Sequence, residues 1–267
     1  MIRILRLTLS DDLVPLPEGA RRSWQVAEAM LAAESGEDVE TTLRIIWPEP
    51  QLPDLVERWM DRYAPDIVTL KVSPYWFTYE SVPLRVQRHV PVIGPRLAKV
   101  GLQAADAGWL AQNAVFRSAR RASRRLIGGE TYFTPDEVVA VMTSCISRIL
   151  RHEGVILAVR GPLEADTDGA GASAVRRGEA RRRFVHEAMK RLAADLHVHY
   201  SGADSIRPVP RGPDQLHLSA DGHEEKGREE GEALVAAWRQ ARSDGADPLY
   251  LDLGVARTAA TAGAGVR

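Results

Sequence analysis

Towards the end of the chain stand Asp214, Gln215, Leu216 and His217, followed by Leu218, Ser219, Ala220, Asp221, Gly222 and His223 and then a long charged segment. A carboxylate three residues before a histidine on a tight loop can accept a hydrogen bond from one imidazole nitrogen, leaving the other nitrogen to act as a base. Such a base needs a hydroxyl to activate. Ser10 is the candidate, since it follows the apolar run Ile2, Ile4, Leu5 and Leu7, which has the character of a buried first strand. Together Ser10, Asp214 and His217 would perform acyl transfer through a covalent serine ester. Each also has an ordinary reading: Ser10-Asp11-Asp12 is common turn chemistry, and His217 is at home in a surface loop.

A serine at the end of the first strand and an Asp-x-x-His before the last helix resemble the two ends of the pattern of the SGNH (GDSL-type) hydrolases. The resemblance covers about the first 240 residues in order. The opening block reads Thr8-Leu9-Ser10 before Asp11, where the family has Gly-Asp-Ser before a small apolar residue. Leu16-Pro17-Glu18-Gly19 and Ser23-Trp24 resemble the usual continuation. The middle blocks depart further. Thr42 to Ile46 ends in Trp47-Pro48, where the family offers a glycine N–H and proline has none to give. Pro65 to Leu70 leads into Val72-Ser73-Pro74-Tyr75-Trp76, where the family has Gly-x-Asn-Asp, so Ser73 replaces the glycine and Tyr75 the asparagine. The only asparagine of the chain is Asn113.

The resemblance implies a hydrolase of small O-acyl esters without a cofactor, in which Ser10 attacks the carbonyl, His217 takes the proton and Asp214 orients the imidazole. Oxyanion stabilisation, worth roughly 10²–10³ in rate per donor, would fall to the Ser10 and Asp11 amides, the Ser73 hydroxyl or the Tyr75 phenol. The carboxylates of Asp11 and Asp12 would disfavour an oxyanion nearby, or bind a cationic substrate group. The altered blocks favour an alternative: a protein of this fold that binds a ligand, or acts as an acyltransferase, with little hydrolysis. A flavodoxin-like binding protein fits the same order of elements but lacks a glycine-rich phosphate loop after strand one, where Ser-Asp-Asp would repel phosphate.

The elements that must position these residues alternate, which predicts a three-layer α/β/α fold with a mainly parallel five-stranded sheet. Strands are expected at 2–9, 39–46, 66–72, 154–160 and 196–200, and helices near 22–34, 52–63, 135–152, 178–194 and 219–241, the last capped by Ser219 or Asp221. The hydrolase-type domain would span 1–245, with a helical insertion at about 75–130 beside the strand ends and a flexible tail at 246–267. That insertion suits a lid, an oligomer contact or plain extra helices. The Gly/Asp-rich loop 164–174 is expected to be mobile.

At 267 residues, 45% hydrophobic and 27% charged, the chain is long enough for one large α/β domain or two small ones. A net charge of −1 gives no reason to expect nucleic acid or an anionic membrane as partner. The five arginines of Arg117–Arg125 read as a solvated helix face or a contact for an anion. Cys145, the single cysteine, lies in a helical apolar pattern and reads as core. His197 and His199 alternate as a metal pair would, yet no third ligand stands at a recognisable spacing. No apolar run reaches the ~18–20 residues of a membrane span, and the chain enters its first strand without a leader pattern, so a cytoplasmic protein acting on a small molecule is expected.

Overall fold

The computed structural model describes residues 1–9, 15–82, 84–85, 122, 129–163, 171–202, 209–212 and 218–243. Five strands, β1 (Ile2–Thr8), β2 (Val39–Ile45), β3 (Ile67–Lys71), β4 (Ile156–Arg160) and β5 (His199–Ser201), pair in parallel in the order β2-β1-β3-β4-β5. Helices α1 (Ser23–Ser35), α2 (Leu52–Tyr63), α3 (Tyr75–Thr78), α4 (Pro135–Ile149), α5 (Ala172–Asp195) and α6 (Ala220–Ser243) connect and cover them. The expected three-layer α/β/α architecture is therefore the observed one.

Side chains alternate across each strand. Leu5 and Leu7 of β1, Val68 and Leu70 of β3, and Leu157 and Val159 of β4 point to one side. There they meet Val56 and Met60 of α2, Val138, Met142 and Ile146 of α4, and Val185 and Met189 of α5. Ile2, Ile4 and Ile67 point to the other side and pack on Leu31 of α1 and on Leu234 and Trp238 of α6.

Local chemistry sets the ends of the elements. Thr134 and Glu137 exchange hydrogen bonds in a capping box, with Pro135 opening α4. Gly36 closes α1 in the left-handed conformation, with φ of 73°. The last strand is displaced from its expected position: β5 is His199–Ser201, not 196–200. His197 takes φ of 55° and Val198 N–H bonds the Ala193 carbonyl, so the segment still turns out of α5 where strand alternation would otherwise begin.

Helices α1 and α6 lie side by side and run the same way. His223 meets Ser23, Gly227 meets Val26, Gly231 meets Met30, and Arg239 bonds Glu34 at 2.7 Å. The approach depends on missing side chains, since a Cβ on Gly227 would stand 2.6 Å from Val26 Cβ and 2.8 Å from the Ser23 carbonyl oxygen. Alanine in place of a helical glycine normally gains ~1 kcal/mol, whereas overpacking costs roughly 1–3 kcal/mol. At Gly227 the Ser23 oxygen is backbone and cannot swing away, so overpacking wins. Gly227→Ala is expected to lower the unfolding free energy by about 1 kcal/mol or more, read from the urea midpoint at unchanged m-value.

Candidate active site

In a parallel sheet of this order the chain leaves β1 towards β2 on one side and returns to β3 on the other. The C-terminal ends of β1 and β3 therefore border a crevice, where open α/β sheets take ligands. β1 delivers Thr8 and then Leu9 to this edge, both buried. β3 delivers Val72, whose N–H bonds the Arg160 carbonyl at 2.8 Å, and then Ser73.

Of the residues expected from sequence to do chemistry, Ser10, Asp11, Asp214 and His217 lie outside the described residues, as do Asp12, the tail 246–267, most of the insertion 75–130 and of the basic run 117–125, and positions 164–170 of the Gly/Asp-rich loop. Their flanks are described. Arg211 and Leu218 form an antiparallel bridge on either side of 213–217. Ser219 then caps α6: its Oγ accepts from Gly222 N–H at 3.1 Å, and its own N–H donates to the Pro210 carbonyl at 3.1 Å. One step further, His223 is fully buried and its Nδ1 accepts from Ser23 N–H at 3.3 Å. Ser23 opens α1, the helix that follows β1, and its Oγ accepts from Arg6 Nη2 at 3.4 Å, so the start of α6 lies beside the C-terminal half of β1.

Ser73 is 2% exposed, and its Oγ accepts the Tyr75 N–H at 3.3 Å. That bond opens the single turn of α3, tied further by Thr78 Oγ1 donating to the Pro74 carbonyl at 2.8 Å. An accepting serine oxygen keeps its own proton for another acceptor. The Tyr75 ring is stacked on Tyr79 at 4.8 Å and tilted against Tyr132 at 5.6 Å and Trp47 at 6.3 Å. Trp47 also meets Tyr132 and Phe133 edge to face at 5.2 and 5.7 Å. The ends of β2 and β3 thus share a half-buried aromatic wall that sequence reading did not assemble. The run of aromatics at 75–79 was the visible signal, but the convergence of Trp47 and Tyr132 on it was not.

Cys145 is fully buried in the α4 face as expected, and burial pushes its thiol up to about 12. His197 sits in the turn after α5 and His199 on β5, and no cluster of three or more metal-ligating side chains occurs among the described residues. No described helix is long and apolar enough to cross a membrane. Burial lowers the His199 pKa from 6.5, and the Gln240 side chain that hydrogen-bonds it works the other way.

No protein-family model matches the chain, and no curated protein is similar to it in sequence. Among solved structures it is similar to a carbohydrate acetylesterase from Sinorhizobium meliloti, at 13% identity over 88% of this chain and 99% of that one, with a TM-score of 0.48. It is also similar to the native aryl esterase of M. smegmatis, at 15% identity over 89% and 100% of the two chains, with a TM-score of 0.47. A third similar structure, described as a GDSL-like lipase from Parabacteroides merdae, has 10% identity over 88% and 96%, with a TM-score of 0.48.

His199 gives the pH dependence its sign. Its folded pKa lies below the unfolded 6.5, so the unfolded chain binds more protons as pH falls through that value and the folded state loses stability there. Urea unfolding followed across this range is expected to show stability falling on acidification below about 6.5, with a shallower fall in His199→Gln.

Proposed function

We propose that the protein is a serine hydrolase that cleaves a small O-acyl carboxylic ester. The observation that supports this reading is topological: β1 ends two residues before Ser10, near the start of α6, where the Arg211–Leu218 bridge flanks positions 213–217 in sequence. Ser10 Oγ attacks the carbonyl carbon as His217 removes its proton, and Asp214 holds the imidazole tautomer and stabilises the charge it gains. The tetrahedral intermediate expels the alcohol, protonated by His217. Water activated by His217 then hydrolyses the ester on Ser10.

The oxyanion is stabilised by the Ser10 and Asp11 amides with the Ser73 hydroxyl and the Tyr75 phenol. Ser73 supports this role because its oxygen is already fixed by Tyr75 N–H at the β3 end of the crevice. Pro48, which has no N–H, favours a second reading, a ligand-binding protein or acyltransferase of the same fold with little hydrolysis.

The test is labelling with a serine-reactive fluorophosphonate, mapping of the adduct, and hydrolysis of p-nitrophenyl acetate. The adduct is expected on Ser10 and to vanish in Ser10→Ala and His217→Ala, with kcat falling roughly 10³- to 10⁶-fold. Ser73→Ala is expected to lower kcat by roughly 10² with KM little changed. Folded protein that takes no label, or turnover that survives Ser10→Ala, overturns the proposal.

A further inference from the structure

Helix α3 is a single turn of 4 residues, too short to be stable without outside support. Trp76 and Phe77 sink into the apolar core, and Phe133 N–H donates to the Trp76 carbonyl at 3.0 Å. The chain leaves the turn through Tyr79, in extended conformation, and reaches Glu80, which is 4% exposed. Arg177 of α5 donates to its carboxylate from Nε at 3.1 Å to Oε1 and from Nη2 at 2.9 Å to each oxygen. Arg181, one turn further along α5, adds a longer contact from Nη1 to Oε1 at 3.4 Å. The backbone at this point is tightly packed too. A Cβ on Gly129 would collide with the Glu80 carbonyl group, and Ser81 and Glu130 exchange N–H to carbonyl bonds at 2.7 and 3.1 Å.

A buried ion pair is a poor source of stability, because desolvation cancels much of the attraction. Its strength is direction, since a guanidinium fork meets a carboxylate in a defined plane. Apolar burial of Trp76 and Phe77 resists withdrawal of the turn, but being non-directional it sets no angle about it. The Glu80 carboxylate, met by two arginines of one helix, sets that angle. Arg177 is oriented in turn, its Nη1 donating to Ser173 Oγ at 2.9 Å. The side chains of Arg177 and Arg181 are 50% and 29% exposed and that of Glu80 is 6%, so the carboxylate bears most of the desolvation.

We infer that Glu80 is a positioning residue for the proposed ester hydrolysis, a role that rests on that reading. Clamped to α5, it fixes the orientation of α3 and with it the Ser73 hydroxyl before the turn, whose oxygen accepts Tyr75 N–H at 3.3 Å. Glu80 touches no reacting atom and acts through Ser73. Removing its charge therefore costs less turnover than removing the Ser73 hydroxyl, and costs nothing once that hydroxyl is gone.

The test uses the full chain carrying Glu80→Gln, with Arg177→Gln as the second variant should the first not fold, and thermal melts to show which are folded. Amide hydrogen exchange is expected to quicken about tenfold at Tyr75 and Thr78, whose N–H groups bond Ser73 Oγ and the Pro74 carbonyl, with the β3 amides unchanged. Hydrolysis of p-nitrophenyl acetate is expected to lose about tenfold in kcat at little changed KM, and Glu80→Gln is expected to have no further effect in the Ser73→Ala background. Exchange unchanged at Tyr75 and Thr78, kcat unchanged in the folded variant, or a loss of the same factor with and without the Ser73 hydroxyl overturns the inference. A parent chain that neither takes the fluorophosphonate label nor turns over ester, with Tyr75 exchange still faster in Glu80→Gln, overturns the hydrolase reading and the catalytic role of Glu80 with it, while supporting the clamp.

Discussion

Glu230 is a carboxylate held between two strands that are not neighbours. It stands on α6, its side chain 7% exposed, and engages Arg6 on β1 and Arg160 on β4, with β3 between them. An ion taken from water into a protein costs several kcal/mol, and losing one partner of a buried pair is strongly destabilising. The arrangement therefore tolerates little movement of α6 along or across the sheet. Gly227 and Gly231 impose a second, steric constraint by seating α6 on α1 one turn at a time. The two constraints act on the same stretch of helix, and they fix its first turn, with Ser219 and the Arg211–Leu218 bridge, relative to the end of β1.

The two faces of the sheet divide the work. On the α2/α4/α5 side the inner strands present Leu5, Leu7, Val68, Leu70, Leu157 and Val159, and the helices answer with Val, Met, Cys and Ile. Burial of this kind is non-directional and supplies most of the folding free energy. On the α1/α6 side the apolar packing stops about halfway along the strands and gives way to ions and hydroxyls. Directional groups need a rigid frame, and the apolar face supplies it. The polar half lies at the strand ends, where the crevice between β1 and β3 opens.

The helices and strands were legible because their signals are local. α2 coincides with the expected 52–63, and the Thr134, Pro135 and Glu137 cap announces α4 from four residues. β5 was less legible, since a left-handed residue at His197 moves the strand start without changing the alternation of types. Glu230 could not be read as buried: in Glu229-Glu230 it has the look of a solvated face, and its partner Arg6 is 224 positions away. Arg6 in turn looks like one polar residue in an alternating strand. Of the candidate site, Ser10, Asp214 and His217 came from a pattern of residue types. The structure contributes their flanks, and it adds the aromatic wall of Trp47 and Tyr132 that no short window contains.

For the proposed reaction, Pro48, Ser73 and Tyr75 stand where the resembled family has backbone and side-chain donors. A backbone N–H at the end of β2 would be fixed by the fold itself and would need no reorganisation as charge develops on the substrate. At this position the chain has Pro48, with the Trp47 ring packed into the wall formed by Tyr75, Tyr132 and Phe133. In the proposed reaction the burden would fall on Ser73, whose hydroxyl must choose a direction for its proton. The Tyr75 N–H narrows that choice by occupying a lone pair of the same oxygen, so that the α3 turn does for a side chain what backbone geometry would otherwise do. Preorganisation then depends on the packing that holds α3, and Trp76 and Phe77, both fully buried, anchor that turn in the core of the apolar face. In this way the stability of the apolar side bears directly on the electrostatics of the proposed site.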